Sequence, residues 1–279
     1  EVYVVEMGAR GEGDIAEIST FVNPHYVLVG KIGPAHIEYF KTMENIRNTK
    51  MEILKTDRLK EAWVHESARV KPESNVHTFG NKENFDILTI EAAPEYVIVN
   101  VQSTLDSTSF TLDGVKYSAS ILGAFNAMNL AAAVLVAKEL GLSDEQIQEG
   151  LSTLKAVDHR LQRIDAGGKV ILDDSFNGNI DGMMASFDLD TTYEGRKVVI
   201  TPGLVEVDDA LNIQVAQRAN EVFDVVVVTG DLNYAIFKDH VEADKLVKLA
   251  TKGEMEAMLV EQTRPGDLIL FANDAPSFV

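Results

Sequence analysis

The chain has no cysteine among its 279 residues, which removes disulfides, thiolate nucleophiles and cysteine-based zinc sites together and agrees with a reducing compartment. Positive charge is scarce: 25 Lys and Arg stand against 44 Asp and Glu, a formal charge of −19. Such a field opposes the phosphate attraction behind non-specific nucleic-acid binding, so a DNA- or RNA-binding role is disfavoured. A local basic pocket for a phosphorylated small molecule stays compatible, because salt shortens the reach of distant charge to roughly 8–10 Å. No apolar run approaches the roughly 20 residues needed to span a bilayer, and no signal-peptide pattern opens the chain. These absences predict a cytoplasmic protein without a membrane segment.

What is present is a folded composition. Hydrophobic residues make up 46% of the chain, and the length suits two ordinary domains. Strand-like runs recur at 2–6, 26–32, 85–91, 96–101, 170–173, 197–201, 224–229 and 267–271. Several are unbroken β-branched stretches, as expected of strands covered on both faces. Helix-length amphipathic segments at 43–54, 123–140, 208–223 and 253–262 lie between many of them, and this alternation predicts α/β layers around mainly parallel sheets. Residues 109–118 interrupt it with a hairpin signal centred on Asp113-Gly114. Ser143-Asp-Glu-Gln146 reads as a capping box opening a short helix through Leu154. The polar, glycine-bearing stretch that follows places a domain boundary near Val157, dividing the chain into 1–157 and 158–279.

The first glycine cluster, Gly11-x-Gly13-x-x-Ala16, is close to a dinucleotide-binding fingerprint. Glu12 and Asp14 would face the phosphates, and no acid stands at the end of the next strand to hold a ribose. A turn followed by a helix start capped by the acid Asp14 accounts for the same residues. Glu6 is more informative, since a carboxylate closing an apolar parallel strand sits at the carboxyl edge of a sheet, where open α/β folds bind ligands. His36 lies just beyond the next strand, and together the two make a plausible metal pair. Lys50, on the helix after the His36 loop, joins them only if its charge is changed or it points elsewhere, because an ammonium is repelled by a divalent cation.

The strings "EMGARGEGDIAEI", "GPAHIEYF" followed by "TKMEIL", "GAFNAMNLAAAV", "DHRL" and "DDSFNGN" occur in the order and approximate spacing of the Mur ligases, ATP-dependent amide-forming enzymes of peptidoglycan synthesis. The chain resembles that family well over 1–184 and loosely beyond. The resemblance implies a Mur-ligase central α/β domain followed by a Rossmann-like C-terminal α/β domain, with ATP and Mg²⁺ as cofactors. It implies that Glu6, His36 and Lys50 are the catalytic and magnesium-binding residues, Lys50 as a carbamate, which supplies the oxygen ligand a hard cation prefers. It also implies adenine-side contacts from Asn126 and Asn129, and nucleotide contacts from Arg160 and Asp174. The substrates implied are a UDP-N-acetylmuramoyl-peptide and D-alanyl-D-alanine, handled by a monomer. A folylpolyglutamate-synthase-like ligase and a non-catalytic nucleotide-binding module are the alternatives.

Two departures bear on this expectation. The G-x-x-x-x-G-K-[ST] loop that cradles ATP phosphates is missing: Gly30-Lys31 is followed by Ile32, and Gly168-Lys169 by Val170. In the family that loop lies upstream of the strand ending in Glu6, which predicts that this chain is an inactive fragment of a longer enzyme. Where members that add D-alanyl-D-alanine carry a Lys-Gly-Ser-Arg-like stretch, this chain reads Phe271-Ala-Asn-Asp274, and Phe176 stands where Tyr is frequent.

Overall fold

A computed structural model describes residues 2–33, 37–71, 73–81, 93–176, 178–205 and 207–272. The chain divides into two compact units, one of Glu1–Val101, Ser109–Tyr117 and Ala127–Gly150, the other of Gln102–Thr108, Ser118–Asn126 and Leu151–Val279. No described helix is long and apolar enough to cross a membrane.

The first sheet runs in sequence order through β1 (Tyr26–Val29), β2 (Glu61–His65), β3 (Val76–Asn81), β4 (Tyr96–Ser103), β5 (Thr108–Leu112) and β6 (Val115–Ala119). β1 to β4 are parallel. Val27 and Val29 of β1 pack with Ala62, Val64 and Val76 beneath Ile15 of α1 (Asp14–Val22) and Ile46 of α3 (Met43–Met51). Leu28, pointing the other way, is 44% exposed, so β1 is covered on one face rather than two. The hairpin forms as expected: Asp113 and Gly114 both take positive φ, 51° and 78°, the type I′ geometry that matches strand twist. The capping box forms as well. Ser143 Oγ accepts from the Gln146 N–H at 3.3 Å, and Gln146 Oε1 accepts from the Ser143 N–H at 2.9 Å, opening α5 (Asp144–Ser152) just after α4 (Asn126–Glu139).

Two local expectations are corrected. Residues 2–6 form no strand: they pair with no neighbour among the described residues, and Val2, Tyr3 and Val4 are exposed. A run of β-branched residues becomes a strand only when its N–H and C=O groups find a ladder partner. Asp14 does not cap α1. Its Oδ2 accepts from the Arg10 and Gly11 N–H groups in the preceding turn, both at 2.8 Å, while Glu52 reaches across to accept from Gly13 and Ala16 at 3.0 and 3.1 Å. The donors that a dinucleotide phosphate would need are therefore already held by a carboxylate. The predicted strand at 85–91 lies outside the described residues.

The second sheet has the order β11-β10-β9-β12-β8-β7, formed by β7 (Gln162–Ala166), β8 (Lys169–Asp174), β9 (Lys197–Thr201), β10 (Val225–Thr229), β11 (Leu246–Leu249) and β12 (Leu268–Ala272). All neighbours are parallel except β7 against β8. The run Val225 to Val228 shows why the unbroken pattern is readable. Val226 and Val228 pack with Phe187 of α6 (Ile180–Asp190) and Val215 of α7 (Asp209–Val222), while Val225 and Val227 pack with Met258 of α9 (Met255–Gln262). Each such side chain contributes about 1.5–3 kcal/mol on full burial. The architecture is the Rossmann-like α/β layering expected of the C-terminal part.

Asp190, at the end of α6, is fully buried, and neither carboxylate oxygen has a hydrogen-bond partner among the described residues. Burial pushes its pKa well above the usual aspartate range, against the pull of Lys197 and with Asp174 adding to the rise. Above about pH 4, where the unfolded chain loses this proton, the folded state keeps it, so stability falls as pH rises toward the folded pKa. Asp190→Asn, which cannot ionise, is expected to gain in Tm over the parent chain by a margin that widens from pH 4 to 8. A constant margin in thermal melts across that range would refute the assignment.

Candidate functional site

In the first unit, Lys50 lies half-buried near the end of α3 and lines a cavity of about 250 Å³. The walls include Met7 and Ala9 from the turn after Glu6, Ile15 of α1, residues 28–33 from the end of β1 and the segment after it, Phe40, and Ile46 and Ile53 flanking Lys50 itself. A second hollow beside it places Lys50 with Gly8, Ala9 and Arg10, and with Asp14 and Glu17 of α1. The Lys50 side chain thus sits between the backbone that directly follows Glu6 and the backbone that leads toward His36. Glu6 is exposed in an irregular segment. His36 lies outside the described residues.

The architecture explains this convergence. β1 ends at Val29, so 30–33 emerge at the carboxyl edge of a parallel sheet. The Thr42 side chain caps α3 by accepting from the Asn45 N–H at 3.1 Å, which starts the helix so that Ile46 and Thr49 turn into the core while Lys50 reaches the cavity. Among the described residues no group of three or more His, Asp or Glu is arranged to hold a metal.

The second unit carries another polar cluster at the carboxyl end of β8. Asp174 Oδ1 accepts from the Leu161 N–H at 3.0 Å, and Oδ2 accepts from Ser186 Oγ at 2.7 Å. Burial raises the Asp174 pKa, opposed by those two hydrogen bonds; Asp173 adds to the rise and Arg160 opposes it. Asp173 in turn pairs with His159 Nδ1 at 2.8 Å and accepts from Ser175 Oγ at 2.6 Å. Arg160 is exposed, with its guanidinium 4.7 Å from the centre of the Phe176 ring. Arg160 thus stands near enough for its charge to be felt at Asp174, which ties β8 to α6 and to the turn at Leu161. At the start of α4, Asn126 Nδ2 donates to the Leu122 carbonyl at 2.6 Å, and Asn129 is exposed one turn on.

Sequence reasoning missed Ser67, His65 and Arg47. Ser67 follows β2, and its hydroxyl accepts from the Ile32 N–H at 2.7 Å, gripping the cavity wall from below. Only β2, a strand too short and too polar at its ends to stand out, would have pointed to it.

Residues 1–137 match the Mur ligase middle domain family. The chain is 28% identical over 290 residues to the UDP-N-acetylmuramoyl-tripeptide--D-alanyl-D-alanine ligase of Bacillus subtilis, covering 97% of this chain and 61% of that protein. It is also 28% identical over 247 residues to the Escherichia coli protein of the same name, covering 84% and 54%. Among solved structures, the MurF ligase from Thermotoga maritima in complex with ADP superposes with a TM-score of 0.75 at 23% identity, covering 96% of this chain and 63% of that one. The chain spans less than two thirds of the length of these relatives.

Proposed function

We propose that this chain, whose residues 1–137 match the Mur ligase middle domain family, is part of an ATP-dependent ligase that adds D-alanyl-D-alanine to UDP-N-acetylmuramoyl-tripeptide in peptidoglycan precursor synthesis. The domain boundary falls near Val157, and the enzyme works as a cytoplasmic monomer. The observation that carries the reading is the cavity in which Lys50 meets the segments that follow Glu6 and precede His36. The names of the Bacillus and Escherichia relatives support the choice of substrates.

A free carboxylate is a poor electrophile. The γ-phosphoryl of ATP passes to the acceptor's carboxylate, releasing ADP, and the amine of the dipeptide then attacks the acyl carbon and expels phosphate. Charge stabilisation and positioning supply most of the catalysis in such transfers. Magnesium fits the donor set once Lys50 is carbamylated, because the carbamate replaces a repelled ammonium with hard oxygen, and the cavity leaves room for the added carboxyl group. When bound, the ion offsets charge on the transferring phosphoryl group. Glu6 and the Lys50 carbamate would hold it together with His36. In this reading Asn126 and Asn129 are the adenine-side contacts, and Arg160 and Asp174 are further nucleotide contacts. The reading is tested by offering D-alanyl-D-alanine and other amines with the UDP-tripeptide and ATP, and separately glutamate with a folate and ATP, to the intact protein that contains this chain. Release of ADP that depends on the dipeptide is expected. Turnover only with glutamate on a folate, or none with any amine, would overturn it.

A further inference from the structure

Residues 30–33 wall the Lys50 cavity, and glycine stands at both ends of that segment, so its own backbone restrains it little. Its anchor is Ser67, in the short turn Glu66–Ala68. The Ile32 N–H donates to Ser67 Oγ at 2.7 Å, and Ser67 Oγ lies 2.9 Å from His65 Nδ1. The Ser67 N–H also donates to that ring nitrogen, at 3.1 Å, so Nδ1 carries no proton and the hydroxyl hydrogen is directed at it. That leaves the hydroxyl's lone pairs for Ile32. His65 is buried, and desolvation, with a smaller contribution from Lys31, lowers its pKa to about 4, which keeps the ring neutral and the direction of these bonds fixed at ordinary pH. The Ser67 carbonyl meanwhile accepts from Arg47 Nε at 3.0 Å, and Arg47 stands one helical turn before Lys50 on α3.

We propose that Ser67 is a positioning residue: its hydroxyl and its carbonyl hold segment 30–33 and α3 in one frame, and so set the geometry of the Lys50 cavity. Its catalytic consequence rests on the ligase reading given above; the anchoring itself does not. Loss of a partner bonded directly to a metal ligand costs about 10–100-fold in metal affinity or activity; Ser67 bonds no proposed ligand and acts through segment 30–33 and α3, so its loss falls at or below the lower end of that range.

The experiment compares Ser67→Ala and Ser67→Thr with the parent in the intact protein, by amide hydrogen exchange, by the Mg²⁺ concentration giving half-maximal ligation, and by thermal melting. Ser67→Ala is expected to speed exchange of the Ile32 amide about fivefold or more and to raise the Mg²⁺ requirement measurably, by up to about 10-fold. Ser67→Thr, which keeps the hydroxyl, is expected to restore both. Should Ser67→Ala fail to fold, Ser67→Cys keeps the volume with a weaker acceptor and is expected to show the same changes. Unchanged Ile32 exchange, or faster exchange with an unchanged Mg²⁺ requirement, would overturn the proposal. Absence of ligation in the parent would instead count against the ligase reading, and Ile32 exchange would still decide the anchoring.

Discussion

Lys50→Ala in the intact protein is expected to lower the rate of ligation at least 10²–10³-fold, the loss seen when one group that stabilises transition-state charge is removed. The melting temperature is expected to change little. The side chain is half-buried at the rim of a cavity rather than packed in the core, and alanine is the best helix former. Two controls separate the roles open to a lysine here. Lys50→Arg keeps the positive charge but cannot carry a carbamate, so it is expected to be as inactive as the alanine variant. A short carboxylic acid such as formate or acetate, small enough to enter the cavity left by the side chain, is expected to return part of the activity to Lys50→Ala. Full turnover by Lys50→Ala would remove the lysine from the mechanism. Full turnover by Lys50→Arg would leave a simple cation in its place.

The parts of this fold that were readable share one property: the information lies within a few consecutive residues. The valines of β10 alternate between two cores and so advertise a strand covered on both faces. Asp113-Gly114 and Ser143 to Gln146 complete their turn and cap with partners no more than three positions away. What stayed hidden depends on partners far along the chain. β2 and β3 carry Glu61 and His77, poor strand residues by composition, because they meet across the sheet. His77 Nε2 lies 2.9 Å from Glu61, and Nδ1 lies 2.8 Å from Glu95. Burial lowers the His77 pKa, but its hydrogen bonds to Glu95 and Glu61 and their charges outweigh it and raise the pKa overall. Residues 2–6 show the converse, a strand-like composition that pairs with no strand among the described residues.

The candidate site divides in the same way. Glu6, His36 and Lys50 were singled out by residue type and by the order of the strings around them; of the three, Lys50 lines the cavity, together with Met7, Ala9 and residues 30–33, while Glu6 lies exposed just before Met7 and His36 lies outside the described residues. Ser67 and Arg47 are ordinary residues in sequence. Their meaning comes from bonds spanning 20 and 35 positions, which no local pattern encodes. Glu52 holding the start of α1 from 36 and 39 positions away is the same kind of information.

The largest expected effect on stability lies in the second unit, at the amino ends of the strands of the second sheet, opposite the carboxyl ends where Asp174 stands. Asp267, just before β12, is 1% exposed. Its Oδ2 accepts from Arg196 Nη1 at 2.7 Å and from the Arg264 N–H at 2.9 Å, and the same Arg196 nitrogen donates to the Gln262 carbonyl at 2.8 Å. Arg196 precedes β9, which pairs with β12 from Leu268 onward, so this ion pair fastens the amino ends of two central strands. Arg196→Ala leaves a buried carboxylate without its counter-charge, and breaking such a pair costs about 3–5 kcal/mol. At roughly 2–4 °C per kcal/mol for a chain near this size, the drop in Tm is large enough to read without extrapolation. The deficit belongs to the stranded charge rather than to the lost pair, so Arg196→Met combined with Asp267→Leu is expected to recover most of it. A loss below about 1 kcal/mol for Arg196→Ala, the range of exposed pairs, would show that Arg264, already 3.7 Å from Asp267 Oδ1, takes over the role. Because the carboxyl ends of the strands, where Asp174 stands, are untouched by this change, KM for ATP at temperatures well below the transition is expected to stay at the parent value. Weakened nucleotide binding there would mean that the two edges of the sheet are coupled, and that the pair does more than hold β9 against β12.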